Sequence, residues 1–111
     1  MLAGKSTQLP QFILDANPTC NIVVTQPRRI AAISISERVA YEQLQTDTGG
    51  QIGYKVRLEN SQSDKTQLLF MTPGVLLRQL QSDPFLQEYT HIMVSKHSCM
   101  FPFYLLTFLT L

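Results

Sequence analysis

The chain has 111 residues, 44% of them apolar and 15% charged, with a formal net charge of +1. That length suits one small domain with a real core, and the composition excludes a disordered chain. The near-zero net charge excludes a body that is basic throughout, so any contact with nucleic acid has to be local.

In chain order, Leu9, Phe12 and Ile13 fall at helical spacing and predict a helix over 6–15, with Pro10 near its first turn. Asn17-Pro18 breaks it. Residues 21–25 (NIVVT) form a short β-branched run of the kind buried in a parallel sheet, and Pro27 ends it. Ile30, Ile33, Val39 and Leu44, with alanines between, predict a second amphipathic helix over 30–44, closed by a turn at Gly49-Gly50. Ile52, Tyr54, Val56 and Leu58 alternate with Gln, Gly, Lys and Arg, the period of a strand with one wet face over 51–58. A polar connection over 60–65 follows, then a strand over 67–71. A helix over 73–81 has Thr72 as N-cap and Pro73 at its first position, and 91–94 (HIMV) is a further buried strand. Alternating helices and strands predict an α/β layer with a largely parallel sheet.

Two stretches carry chemistry. Gly4-Lys5-Ser6-Thr7 stands directly ahead of the first helix and reads as the rear half of a phosphate loop, G-x-x-x-x-G-K-[ST]. The first glycine of that pattern would fall before residue 1, so the expectation is a piece of a larger protein. A helix N-terminus offers free N–H groups and a favourable dipole to phosphate. The bland alternative is a polar helix start with a solvated lysine. Thr25-Gln26-Pro27-Arg28-Arg29-Ile30-Ala31-Ala32 leaves a strand and opens a helix, which puts two guanidiniums at the sheet's carboxyl edge, where open α/β sheets bind ligands. Arg28 and Arg29 read either as phosphate contacts or as solvated helix-start charges. Cations are disfavoured at a helix N-terminus, which favours an anion partner.

The segments GKSTQLPQFIL, TQPRRIAAISISERVA, IGYKVRLE, MTPGVLLRQL and YTHIMV, in this order, resemble the DEAH-box RNA helicases over about Gly4 to Val94. The resemblance implies a partial RecA-like (P-loop NTPase) first domain over 1–94, a three-layer α/β sandwich with a mainly parallel sheet. It also implies ATP and Mg²⁺ as cofactors and single-stranded RNA as partner, in the nucleus or cytoplasm. Gly4, Lys5, Ser6 and Thr7 then belong to the ATP-phosphate loop, with Lys5 on the β- and γ-phosphates and Ser6 on Mg²⁺. Arg28 and Arg29 match the family's RNA-backbone contact, and Thr72 and Gly74 match a second RNA-contacting motif. Arg38, in the ERVA stretch, matches an arginine that packs on adenine. From the residues alone, Thr72 is equally a helix N-cap, and Arg38 equally a surface charge paired with Glu42 at i+4.

After Val94 the family carries Asp-Glu-x-His, whose acids hold Mg²⁺ and orient water. This chain has Ser95-Lys96-His97-Ser98, and the second RecA-like domain with its arginine finger is not in the sequence. The expectation is a helicase fragment that does not hydrolyse ATP alone and binds nucleotide weakly. The alternative is a non-catalytic short form that binds RNA or a helicase partner. The apolar stretch 100–111 (MFPFYLLTFLTL) contains Pro102 and falls short of the roughly 20 residues needed to span a bilayer, so no membrane partner is expected. Residues 95–111 read as a divergent tail. Cys20 and Cys99 lack metal-ligand spacing, and with no signal peptide in view a reducing cytosolic or nuclear setting is expected.

Overall fold

Ile22–Thr25 and Leu68–Met71, two unbroken apolar or β-branched runs, become strands buried along their whole length. The computed structural model describes residues 2–44 and 48–93, with side chains from Gln8 onward. In chain order the elements are α1 (Leu2–Ala16), β1 (Ile22–Thr25), α2 (Arg29–Glu42), β2 (Ile52–Val56), β3 (Glu59–Ser61), β4 (Leu68–Met71), α3 (Pro73–Ser82) and β5 (His91–Met93). The sheet order is β3-β2-β4-β1-β5. All neighbours are parallel except the β2–β3 hairpin.

Alternate residues of the central strands point into two cores. Ile22, Val24, Leu68 and Phe70 pack with Ile52, Tyr54 and Val56 against Leu14 of α1 and Ala32, Val39 and Ala40 of α2. Val23, Leu69 and Met71 pack on the other face with Val75 and Leu76 of α3 and with Leu86 and Ile92. The layering is therefore α1 and α2, then sheet, then α3, the three-layer α/β sandwich with a mainly parallel sheet anticipated above. Cys20 is part of the first core, and burial pushes its thiol pKa up.

Several local expectations differ from what is found. α1 starts at Leu2, earlier than expected, so Pro10 lies in its interior and contributes no N–H to the helix ladder. Its inward positions are Pro10, Gln11 and Leu14, with the expected Ile13 packed against the same core, while Leu9 and Phe12 face outward. α2 begins at Arg29 and ends at Glu42, well before Gly49-Gly50. Leu44 follows in the left-handed region (φ 61) with its side chain 92% exposed, having left the helix before the apolar period could place it. Ile30 is likewise exposed on the first turn of α2. The expected strand at His91 is present as β5 over His91–Met93, and Val94 and the 95–111 tail lie outside the described residues.

The expected polar connection begins as a strand: β3 pairs Tyr54 with Ser61, Lys55 with Asn60 and Val56 with Glu59. The chain reverses at Arg57-Leu58, where Leu58 takes φ 71 and is 93% exposed. Gly53 is buried beneath the returning strand, since a Cβ there would collide with the backbone carbonyl of Ser61. The wet face expected of β2 is thus partly covered.

Gly53→Ala is expected to destabilise the fold by about 1–3 kcal/mol through overpacking against backbone that cannot move aside. Leu58→Gly is expected to be neutral or to stabilise by up to about 1 kcal/mol, by relieving a left-handed leucine that packs on little. Urea denaturation monitored by circular dichroism measures both.

Candidate nucleic-acid interface

The site begins with the direction in which two adjacent strands send their chain. β1 leads into α2 on one face of the sheet and then to β2, crossing over β4. Its neighbour β4 leads into α3 on the opposite face and then to β5, crossing over β1. Right-handed parallel crossovers that travel in opposite directions must use opposite faces. The segments leaving β1 and β4 therefore diverge, and a crevice opens between them at the carboxyl edge, the switch point at which open α/β sheets take ligands.

Arg28 and Arg29 leave β1 on one side of this crevice, and Thr72 and Gly74 leave β4 on the other. The two exits are tied beneath it: Thr25 pairs with Met71, and the backbone N–H of the buried Gln26 donates to the carbonyl of Met71 at 2.8 Å. Arg28 occupies the N-cap of α2 in extended backbone (φ −117, ψ 139) and makes no side-chain capping bond. Among the described residues its exposed guanidinium has no hydrogen-bond or ion-pair partner. Arg29, the first residue of α2, donates through Nη2 to Glu59 Oε1 at 2.7 Å. The other oxygen of Glu59 accepts the Tyr54 hydroxyl at 2.8 Å.

Thr72 is the N-cap of α3 by backbone position, as expected, yet its hydroxyl makes no capping bond. Its carbonyl accepts from the N–H groups of Val75 and Leu76. Gly74 is exposed, with open space where a Cβ would stand. Both helices thus present first-turn N–H groups at the edge without a side-chain cap, a local positive field.

Gly4, Lys5, Ser6 and Thr7 lie in the first turns of α1, and their side chains are outside the described ones. The short reversal over 17–21 sends α1 back along the sheet, so its N-terminal end is directed to the same carboxyl edge. Ser95, Lys96, His97 and Ser98 also fall outside the described residues.

Arg38 is not brought to the crevice. It sits about 15 Å from Arg28 along α2, ten residues at 1.5 Å each. There its Nε donates to Glu42 Oε2 at 3.2 Å, the i+4 pair that the sequence offered. Glu42 Oε1 also accepts from the Gln11 amide at 2.8 Å, and the Gln43 amide donates to Gln11 Oε1 at 2.6 Å. This network joins α1 to the end of α2. The Gln11 bond and then the Arg38 charge hold the Glu42 carboxyl below its ordinary value. Gln11, Gln43 and Glu59 were not singled out from sequence, and Tyr54 was read only as a strand position. Gln11 and Gln43 meet across a long stretch of chain, and Tyr54 and Glu59 meet across a polar reversal with no apolar period to mark it.

No protein-family model matches the chain. Among curated proteins it is 48% identical to DExH-box ATP-dependent RNA helicase DExH1 of Arabidopsis thaliana, over 84% of this chain and 10% of that protein. It is 50% identical to the putative ATP-dependent RNA helicase DHX57 of Homo sapiens, over 84% of this chain and 7% of the relative. With the ATP-dependent RNA helicase TDRD9 of Danio rerio the identity is 49%, over 85% and 7%. The chain belongs to the DExH/DEAH-box RNA helicase family and spans about a tenth or less of the length of these relatives.

A depressed carboxyl pKa contributes stability that is complete above the unfolded value, about 4.3 for Glu, and is lost as pH falls through the folded one. Glu42→Gln is therefore expected to flatten the decline in stability below about pH 4.3. Gln11→Ala should move the Glu42 titration upward. Carbon-detected NMR titration of the Glu42 side chain, alongside acid unfolding curves, measures both.

Proposed function

We propose that this chain is the nucleotide-phosphate and RNA-contacting part of a helicase first RecA-like domain (1–94), followed by a divergent tail (95–111), and that it binds single-stranded RNA without hydrolysing ATP. The observation that carries the reading is the switch point, with Arg28-Arg29 on one wall of a crevice and Thr72-Gly74 on the other. A strand crossing it meets guanidiniums from one side. From the other it meets the Thr72 hydroxyl and the first-turn N–H groups of α3, which the missing side chain of Gly74 leaves open to close approach. Such contacts follow the sugar-phosphate backbone and suit sequence-tolerant binding, which needs local rather than overall positive charge.

The first turn of α1 fits the phosphates of ATP, since a helix N-terminus with Lys5 supplies N–H donors and a cation, and Ser6 and Thr7 supply hydroxyls. Bound ATP would supply the energy source the relatives are named for. Arg38 would meet the adenine if it left Glu42. The donor set for Mg²⁺ does not fit: a hard divalent ion is held by carboxylate or phosphate oxygens, and Ser95-Lys96-His97-Ser98 offers no carboxylate. Phosphoryl transfer depends on metal and positioning, so hydrolysis is absent from this reading. A nuclear or cytoplasmic location goes with it.

Fluorescence anisotropy with a labelled single-stranded RNA tests the proposal. Binding is expected to weaken with salt, and Arg28→Ala/Arg29→Ala to weaken it further while flattening the salt dependence by about 0.7 for each phosphate no longer neutralised. Binding that ignores both salt and the double replacement would reject the RNA reading. Phosphate release from ATP stimulated by RNA would reject the non-hydrolytic part.

A further inference from the structure

The two arginines at the mouth of the crevice are not equivalent. Arg28 is exposed, extended and without a partner among the described residues, whereas Arg29 is bound to Glu59. The Glu59 carboxylate is fixed from both sides, with Oε1 on Arg29 and Oε2 on the hydroxyl of Tyr54. Tyr54 is only 8% exposed and sits in β2 opposite Phe70, so the position of its hydroxyl is set by the core. The tight Arg57-Leu58 reversal carries Glu59 back to this point, where its backbone pairs with Val56. An unpaired carboxylate beside an RNA path would repel phosphate. Its neutralisation by Arg29 removes that repulsion and takes up the guanidinium that does so.

We propose that Glu59, anchored by Tyr54, is a positioning residue that holds Arg29 on the β2–β3 hairpin, so that Arg28 is the guanidinium that meets the RNA phosphate while Arg29 neutralises Glu59. The inference rests on the RNA reading above. Arg29 and Glu59 have side chains 51% and 45% exposed, so the pair adds little to stability, and its effect belongs to binding.

Binding of a labelled single-stranded RNA to the full chain across a salt series separates the roles. Arg28→Ala should weaken binding and reduce the magnitude of the salt slope by about 0.7, the value for one phosphate contact to a single strand. Adding Glu59→Gln to Arg28→Ala frees Arg29 and should return the slope toward the wild-type value. Arg29→Ala should weaken binding by uncovering Glu59, with the slope nearly kept, and adding Glu59→Gln should restore it. Glu59→Gln alone frees Arg29, and is expected to tighten binding and steepen the slope by about 0.7. Arg29→Gln, which retains a donor to Glu59 without the charge, repeats the Arg29 arm should the alanine variant fold poorly. If the Arg29 variants lose slope as Arg28→Ala does and Glu59→Gln gives no rescue, Arg29 is itself a phosphate ligand and the division of roles is wrong. A wild-type chain that binds no RNA overturns the RNA reading and this inference together, an outcome distinct from the one in which wild-type binds and only the Arg29 arm disagrees.

Discussion

The parallel pairing of β1 with β4 is the constraint on which the remaining structure depends. Both strands are buried along their length, so each needs apolar cover on both faces of the sheet. α2 supplies it on one side and α3 on the other. Right-handed crossovers then leave no freedom in which way the two exits turn. The crevice results from covering a two-faced sheet, and the residues that line it are those the chain happens to carry immediately after each strand. Here these are two arginines and a Thr-Pro-Gly.

Electrostatics at this edge works by local compensation in a chain of net charge +1. A cation in the first turn of a helix opposes the helix dipole, and Arg29 and Arg28 meet that cost differently. Arg29 draws a carboxylate from a neighbouring hairpin, while Arg28 stays uncompensated at the N-cap. Further along the same helix Arg38 is held by Glu42, which Gln11 also engages, so α1 is stitched to the end of α2 through the carboxylate that holds Arg38. Of Arg28, Arg29 and Arg38, two are thus held by a carboxylate and Arg28 is not.

What the sequence made legible divides along physical lines. β1 and β4 were readable because burial on both faces demands unbroken apolar or β-branched runs, and α3 because Thr72-Pro73 is a local start signal that needs no tertiary information. The fold class followed from their alternation. Which stripe of α1 faces the sheet was readable only at Ile13: Leu9 and Phe12 complete a good apolar period, yet Pro10, Gln11 and Leu14 are the residues that go inward. β3 was hidden because a short edge strand of Glu, Asn and Ser has no apolar period to detect. With it went the partner of Arg29, since Arg29 and Glu59 meet only after the hairpin has closed. The crevice itself depends on strand order, which local patterns do not encode; the sequence placed the two arginines at the carboxyl edge, while the wall at Thr72-Gly74 came only through the family resemblance.

The interior thiol gives the molecule its own reporter. Cys20 lies at the junction of α1 and β1, 1% exposed, and burial disfavours its thiolate. Alkylation requires the thiolate and a path to it. The rate at which Cys20 is labelled in the native chain therefore follows how often α1 lifts from the sheet, or the whole domain opens. Gly4-Lys5-Ser6-Thr7 sits on that same helix, so the labelling rate reads directly how firmly this end of the molecule is held to the scaffold that bears the arginines.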